Sequence, residues 1–409
     1  MGIRNISVSY IALVLFYGFI ILNFISVDLR NIIFLTLLFI SIAKFKSLNL
    51  SLSKTEFYLL GSYIYFFLIT LFFNLYHNSP ISDMDNYSRF IAALPLYFLF
   101  REITLKPNNF IKVIIITSIA IVILSSYLYF INNPNLDRIT GLTNVSITFG
   151  NMVMTIFVFL LVSLFEKTNI QKKLLISFAL LCTALSWSFT MTKGSLIGLF
   201  LVLIYIIFSK SFVKSKSHLA YGSIITILLL IFTPINHALD KFTNDVKYIS
   251  QQELSEVYKD KNVSFSTKER IFLLINAKEM IINNPFTGIG GSKAFKKYIA
   301  DRTSKDNRNY GMAHHNHAHN DFIDLWAKTG ILGLIVLVYF YFINLKTFLQ
   351  ANSNKENNYF RKIGIVTLLS QLGFMLTQSQ LAHHQPTLFF LVILVVMSSQ
   401  IASTKNNKS

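Results

Sequence analysis

Residues His314 to Gly333 read HHNHAHNDFIDLWAKTGILG, a polar, histidine-dense run that passes into an apolar helix without a linker. Four histidines, His314, His315, His317 and His319, fall within six positions, and Trp326, Gly330 and the apolar run Ile331 to Phe342 follow directly. The stretch is therefore expected to hold imidazoles at a membrane surface. Histidine is the side chain whose unperturbed pKa lies near neutrality, so imidazoles placed there suit proton transfer. The H-x-H-x-H spacing, with Asp321 and Asp324 beside it, leaves a second chemistry open, a zinc or other transition-metal site.

The 409-residue chain around it is 53% apolar, 15% aromatic and only 14% charged. That is too apolar for an ordinary soluble domain and points to an all-α polytopic integral membrane protein. In a soluble protein a formal charge of +18 would suggest nucleic acid. In a membrane protein it asks instead which side each Lys and Arg occupies, and no nucleic-acid partner is expected. The single cysteine, Cys182, sits inside an apolar run and reads as a small buried residue, with no intrachain disulfide possible. The first apolar run, about Val8 to Val27, is long enough to span and lacks a small-residue cleavage site, so it reads as a retained anchor.

A spanning helix needs roughly 20 mainly apolar residues, and about twelve transmembrane helices are expected, centred near residues 17, 38, 66, 95, 121, 155, 182, 201, 228, 338, 370 and 394. With a cytoplasmic N-terminus, the inward segments carry nineteen cations: Arg4, Lys44, Lys46, Lys54, Arg101, Lys106, Lys112, Lys167, Lys172, Lys173, Lys210, Lys214, Lys216, Lys346, Lys355, Arg361, Lys362, Lys405 and Lys408. The short outward segments carry four, Arg30, Arg89, Arg138 and Lys193, which is the positive-inside pattern. The expected organisation is helices 1 to 9 over 1–235, one large outward loop over 236–321, and helices 10 to 12 over 322–409 with a cytoplasmic C-terminus. In a Gram-negative cell that loop would be periplasmic. Within it, Ile271, Leu274, Ile275, Lys278, Ile281 and Ile282 recur at i, i+3, i+4 spacing, predicting an amphipathic helix over Glu269 to Asn283 that lies on the bilayer or caps the bundle. Asn284-Pro285 stops it, and Gly288-Ile289-Gly290-Gly291 turns the chain.

Three patterns carry a resemblance. The first is His319-Asn320, nine residues, then Gly330-Ile331-Leu332-Gly333. In the second, Arg270 opens a helix that ends in Asn284-Pro285-Phe286-Thr287-Gly288-Ile289-Gly290, and the third is Thr190-Met191-Thr192-Lys193-Gly194-Ser195 at an outer membrane boundary. Together they resemble the signature of the O-antigen ligase and polymerase superfamily, bacterial enzymes that transfer lipid-linked sugar polymers. The superfamily usually has arginine where Lys193 stands. Lysine supplies charge to a phosphate as a point charge and not as a bidentate fork.

The resemblance implies a C-type glycosyltransferase-like fold and an O-antigen ligase on the outer face of the inner membrane, working without a metal or other cofactor and inverting the anomeric centre. The implied donor is a polysaccharide on undecaprenyl pyrophosphate and the acceptor a sugar hydroxyl of lipid A-core, with membrane lipids around the protein. His319 would be the general base, Arg270 and Lys193 would stabilise the departing pyrophosphate, and Arg138 and Asn320 would contact substrate. Plainer readings exist for each cation. Lys193 could snorkel to water, Arg270 could pair with Glu269 or Asp260, and Arg138 with Asp137. Lys296, Lys297 and Arg302 read as solvated surface; His383 and His384, in the last outer loop, could face the same cavity as the histidine cluster, but the reading favoured is side chains in water. Gly288-x-Gly290-Gly291 follows no strand and lacks the P-loop Lys-Ser/Thr, which fits a donor activated beforehand. The nearest alternative is an O-antigen polymerase, with the same donor and a second lipid-linked oligosaccharide as acceptor. Chain length, the single dominant outer loop and the position of the histidine motif favour the ligase. A transporter or flippase would suit the number of spans, but no inverted repeat is visible and few ionisable residues fall at mid-membrane.

Overall fold

The computed structural model describes residues 7–132, 138–143, 145–209, 265–304, 314–351 and 355–406. The span expected near residue 228, the loop residues 236–264, Asp137 and Asp260 lie outside them. The described residues contain helices and no strand. The first half comprises α1 (Val8–Leu22), α2 (Val27–Lys44), α3 (Lys54–Tyr76), α4 (Asp85–Ala92), α5 (Leu94–Arg101) and α6 (Pro107–Tyr127). Next come α7 (Ser146–Leu164), α8 (Ile170–Thr190), α9 (Ser195–Phe208), α10 (Phe265–Asn283) and α11 (Ser292–Ser304). The chain ends with α12 (Asp321–Gln350), α13 (Lys355–Met375) and α14 (His384–Asn406).

Among these, six helices are long and apolar enough to cross a membrane, α3, α6, α7, α8, α12 and α14, and α1 and α9 are shorter apolar helices. The chain is a polytopic membrane protein. The single span expected near residue 95 is divided instead. Pro95 is the second residue of α5; it lacks an N–H and its ring crowds the preceding turn, so α4 and α5 are two eight-residue helices meeting at Ala93.

Nearly all of α7 and α14 is buried, and these two form the middle of the bundle. Around them α8 packs on α6 and α7, α13 on α9 and α14, α5 on α14, and α12 along α3. Cys182 is buried on α8. The perimeter keeps large apolar side chains exposed, including Phe39, Phe72, Ile123 and Phe200, as a surface solvated by lipid tails requires. The bundle has two chemically different ends. At one, Arg101 pairs with Glu56 and Lys362 with Glu166, each at 3.0 Å. At the other, the C-terminal ends of α3, α8 and α13 and the N-terminal end of α12 gather beneath α10 and α11.

α10 occupies the predicted place, but a different face of it packs. Phe272, Leu273, Ala277 and Met280 form a small core with Phe295 and Ile299 of α11 and with Ala318 and Ala327. Of the expected stripe only Ile271 is buried, while Leu274 and Ile282 are exposed. The helix is apolar on two sides. Ala277 has the small side chain that admits Phe295 and Ile299 closely, so that side meets the protein.

Candidate active site

The glycines of the two longest patterns lock the loop to α12. At Gly330 the backbone turns to φ 68, ψ −172, so α12 is two helical pieces, 321–329 and 331–350. A break frees carbonyls that a continuous helix would pair. The N–H of Ile289 donates to the carbonyl of Ala327 at 2.9 Å and that of Gly290 to Lys328 at 3.0 Å. In return Ile331 N–H and the Trp326 indole donate to the carbonyl of Pro285, at 2.9 and 3.1 Å. Gly288 (φ +66) and Gly330 (φ +68) touch the opposing backbone: a Cβ would lie 2.3 Å from the Lys328 carbonyl carbon in one case and 2.0 Å from the Phe286 oxygen in the other. The His77 ring, just beyond α3, reaches the Thr287 oxygen at 2.9 Å, and Gly291 N–H donates to Ser79 at 3.0 Å. Arg270 and His319 thus stand on two pieces of chain fastened together by these motifs.

His319 lies between two further fastenings. Asn320 caps α12, accepting from Phe322 and Ile323 N–H at 3.0 and 3.1 Å, and its amide nitrogen donates to the Leu376 carbonyl at 3.1 Å. Its side chain is thereby used for position. Asp321 accepts from the backbone N–H groups of Gln380, at 2.7 Å, and Leu381, at 3.1 Å. These bonds bring the α13–α14 connection to the histidine, where Gln378 Oε1 contacts His319 Nδ1 and Gln378 Nε2 contacts His383 Nε2 at 2.9 Å. A carboxamide oxygen only accepts, so His319 carries its proton on Nδ1 and presents a lone pair at Nε2. That Nε2 is buried without a hydrogen-bond partner among the described residues. His319 also has φ +55, a left-handed backbone that costs a non-glycine residue about 1–3 kcal/mol and recurs at functional sites.

The other histidines divide. His314 is exposed, whereas His317 is buried with its ring centroid 4.7 Å from that of His319 and 5.3 Å from that of His383. The expectation that His383 sits in water is corrected: the Asp321 and Asn320 contacts fold it inward, and burial, reinforced by the charge of His319, pushes it down to about 4. His384 remains largely exposed beside Arg89 and Asp85. Burial likewise lowers His317 and His319 below the ordinary imidazole range; for His319 it outweighs Gln378 and Glu269, which favour the charged form.

Cations reach the same place from separate segments. Arg270, half-buried at the start of α10, is lowered by burial against the opposing charge of Glu269. Arg138 is lowered by burial and by the charge of Arg270, so the two guanidiniums share one field, and Arg138 Nε is buried without a hydrogen-bond partner among the described residues. Ile139 N–H donates to the Phe189 carbonyl at 3.0 Å, which ties this segment to the end of α8. Lys193, exposed, follows the left-handed Met191 in the α8–α9 turn. That turn abuts the Gln378 segment, since a Cβ on Gly194 would lie 2.4 Å from Thr377 Oγ1. Neighbouring cations hold their charge against burial poorly unless an anion joins them.

The carboxylates are rearranged relative to expectation. Asp324 accepts from Ala318 N–H at 2.9 Å and pairs with the buried Lys328 at 2.8 Å, and Asp321 is satisfied by backbone, so neither faces the imidazoles as a ligand. Glu269 does. It contacts His315, and Glu269, His315 and His319 offer ligand atoms that all lie within 4.8 Å of one another. Neither Glu269 nor Gln378 belongs to a sequence pattern pointing here; the signal available was a polar cluster, Gln378-Ser379-Gln380 and His383-His384, closing an apolar run.

An uncharacterized protein of Haemophilus influenzae is 25% identical over 360 residues, covering 84% of this chain and 86% of that one. Residues 178–338 match the family model described as O-Antigen ligase, a segment that holds Lys193, the Arg270 helix with its Asn-Pro turn, and the His319 to Gly333 motif. Over that segment the chain is similar to the O-antigen ligase family, as its motifs led one to expect.

Proposed function

We propose that this protein is an O-antigen ligase, transferring a polysaccharide from undecaprenyl pyrophosphate to a sugar hydroxyl of lipid A-core at the periplasmic face of the inner membrane. The observation that carries the reading is the convergence of an unpartnered imidazole lone pair, His319 Nε2, with the guanidiniums of Arg270 and Arg138 at one end of a membrane bundle. In the transfer, the acceptor oxygen attacks the anomeric carbon as the bond to the pyrophosphate oxygen breaks. The proton of the hydroxyl passes to His319 Nε2, and undecaprenyl pyrophosphate leaves with the bonding pair. Negative charge grows on the departing oxygen, where Arg270, Arg138 and Lys193 oppose it. A single displacement inverts the anomeric configuration. Gln378 fixes the tautomer of His319, and Asn320 holds its backbone. Membrane-embedded helices and the exposed Leu274 and Ile282 suit a donor delivered by a lipid carrier.

Product analysis in a deletion strain tests the assignment. Polymer accumulating on the lipid carrier with bare core is expected, restored by the wild-type gene and not by His319→Asn. Core carrying single repeat units would instead assign the chain to the polymerase reaction, and unchanged lipopolysaccharide would remove both.

A further inference from the structure

Glu269, His315 and His319 do more than surround a base. We propose that they form a site for one first-row divalent cation, zinc foremost, and that this cation and the acceptor hydroxyl exclude each other at His319. A carboxylate and two imidazoles are the donor set that holds zinc with its remaining position open. The ligand atoms lie within 4.8 Å of one another, and Glu269 Oε1 and His315 Nε2 are already in contact. Ligands about 2.0–2.2 Å from a tetrahedral zinc sit closer together than that, so small side-chain rotations complete the set. Ligating histidines are normally oriented through the second ring nitrogen. His319 has this support in Gln378, which leaves Nε2 for the metal. His319 Nε2 is buried without a hydrogen-bond partner among the described residues, and Nε2 of the neighbouring His317 is a second such nitrogen. α10 and the loop before α12 each contribute, and the glycine lock holds them together.

A cation seated there occupies the lone pair that would accept the acceptor's proton, so it inhibits transfer. That consequence rests on the base reading above; the binding does not. The test uses the full-length chain purified in detergent and stripped with EDTA, with cobalt(II) as the spectroscopic probe. The expected result is a visible absorption band saturating at about one equivalent and abolished by added zinc. Glu269→Gln and His315→Ala are each expected to weaken cobalt binding at least about tenfold, and Gln378→Ala, through orientation, by about 10–100-fold. Lys296→Ala, on the exposed face of α11, leaves it unchanged. Circular dichroism and gel filtration verify that each variant is folded, and the wild-type titration stands without any variant. A wild-type chain giving no saturable band, or folded Glu269 and His315 variants binding as tightly as wild type, overturns the site. Transfer is then compared with stoichiometric zinc and with EDTA, with loss and recovery expected. Metal bound with transfer undiminished overturns the exclusion and the base role of His319 while the site stands. No metal bound, with transfer still dependent on His319, removes the site and leaves the base.

Discussion

His319 joins two properties, a left-handed backbone and a half-buried imidazole whose buried Nε2 has no hydrogen-bond partner among the described residues. The backbone tells how to remove the base without disturbing the fold. Asparagine tolerates positive φ better than most side chains, so His319→Asn is expected to keep the thermal midpoint while lowering kcat by about 10²–10⁴-fold, the usual range for a lost general base. A midpoint that falls together with kcat would make His319 a structural residue. The pH dependence follows from the direction of its shift. A base whose pKa is below the ordinary imidazole value is already deprotonated at neutrality, so kcat/KM measured in EDTA is expected to stay level through pH 6.5 and to decline only below it. The same sign applies to stability. His383 is depressed to about 4, so the stability tied to its neutral form is present above about pH 6.5 and is lost as pH falls toward 4, which a series of thermal midpoints would follow. Lys193 is a weaker anchor for phosphate than arginine because it offers one charge without a fork. Lys193→Arg should retain most activity and Lys193→Ala should lose about 10–100-fold, the worth of a charge-assisted hydrogen bond of roughly 1.5–3 kcal/mol. Equal, near-normal rates in both would make it a snorkelling interfacial lysine.

At the scale of elements, the two glycine-rich patterns turn out to be halves of one joint. Neither half explains itself in the sequence. The four residues from Gly330 to Gly333 read as small positions in a membrane helix, and Gly288-Ile289-Gly290 as a turn, yet the carbonyls that Gly330 frees are those the turn's N–H groups fill. Alanine at either position meets backbone rather than a side chain that could rotate away, at 2.3 Å for Gly288 and 2.0 Å for Gly330. Gly288→Ala and Gly330→Ala are therefore each expected to destabilise the protein by at least about 1–3 kcal/mol and to lower transfer with it. Because each breaks the same joint, the double variant should cost less than the sum of the two, a coupling that a double-mutant cycle reads directly. Additive effects would mean that loop and helix are held by something else. Lys328 beside the joint is a buried charge matched by Asp324, and it fixes the first turns of α12 from inside. α10 shows the limit of periodicity: a helix with two apolar sides predicts its own existence and length, but only the partner it meets decides which side is covered.

For the whole molecule, composition and apolar runs made the helical membrane bundle legible, because lipid leaves a spanning chain few alternatives. As candidates, His319, Arg270 and Lys193 were legible too, through motifs. What joins them was not: no spacing links residue 378 to residue 319, or residue 138 to residue 270, and those neighbours arise from tertiary bonds such as Asn320 to Leu376 and Asp321 to Gln380. The break before α5 was hidden because an apolar average passes over Pro95, whose missing N–H is a local matter. The orientation of the bundle is the remaining large-scale inference, and the two ends give it a physical form. One end buries Arg101 and Lys362 against single carboxylates and borders the most basic short segments; the other gathers imidazoles, Arg270 and Arg138 where a pyrophosphate would dock. Positive charge in short loops is retained in the cytoplasm, and on that ground we propose that the histidine end faces outward. Reporter fusions at Ser215 and Asn354 should then read as cytoplasmic and a fusion at Ser255 as periplasmic. A cytoplasmic reading at Ser255 would put His319 on the side opposite to where a periplasmic acceptor waits, and the orientation and the ligase assignment would fall together.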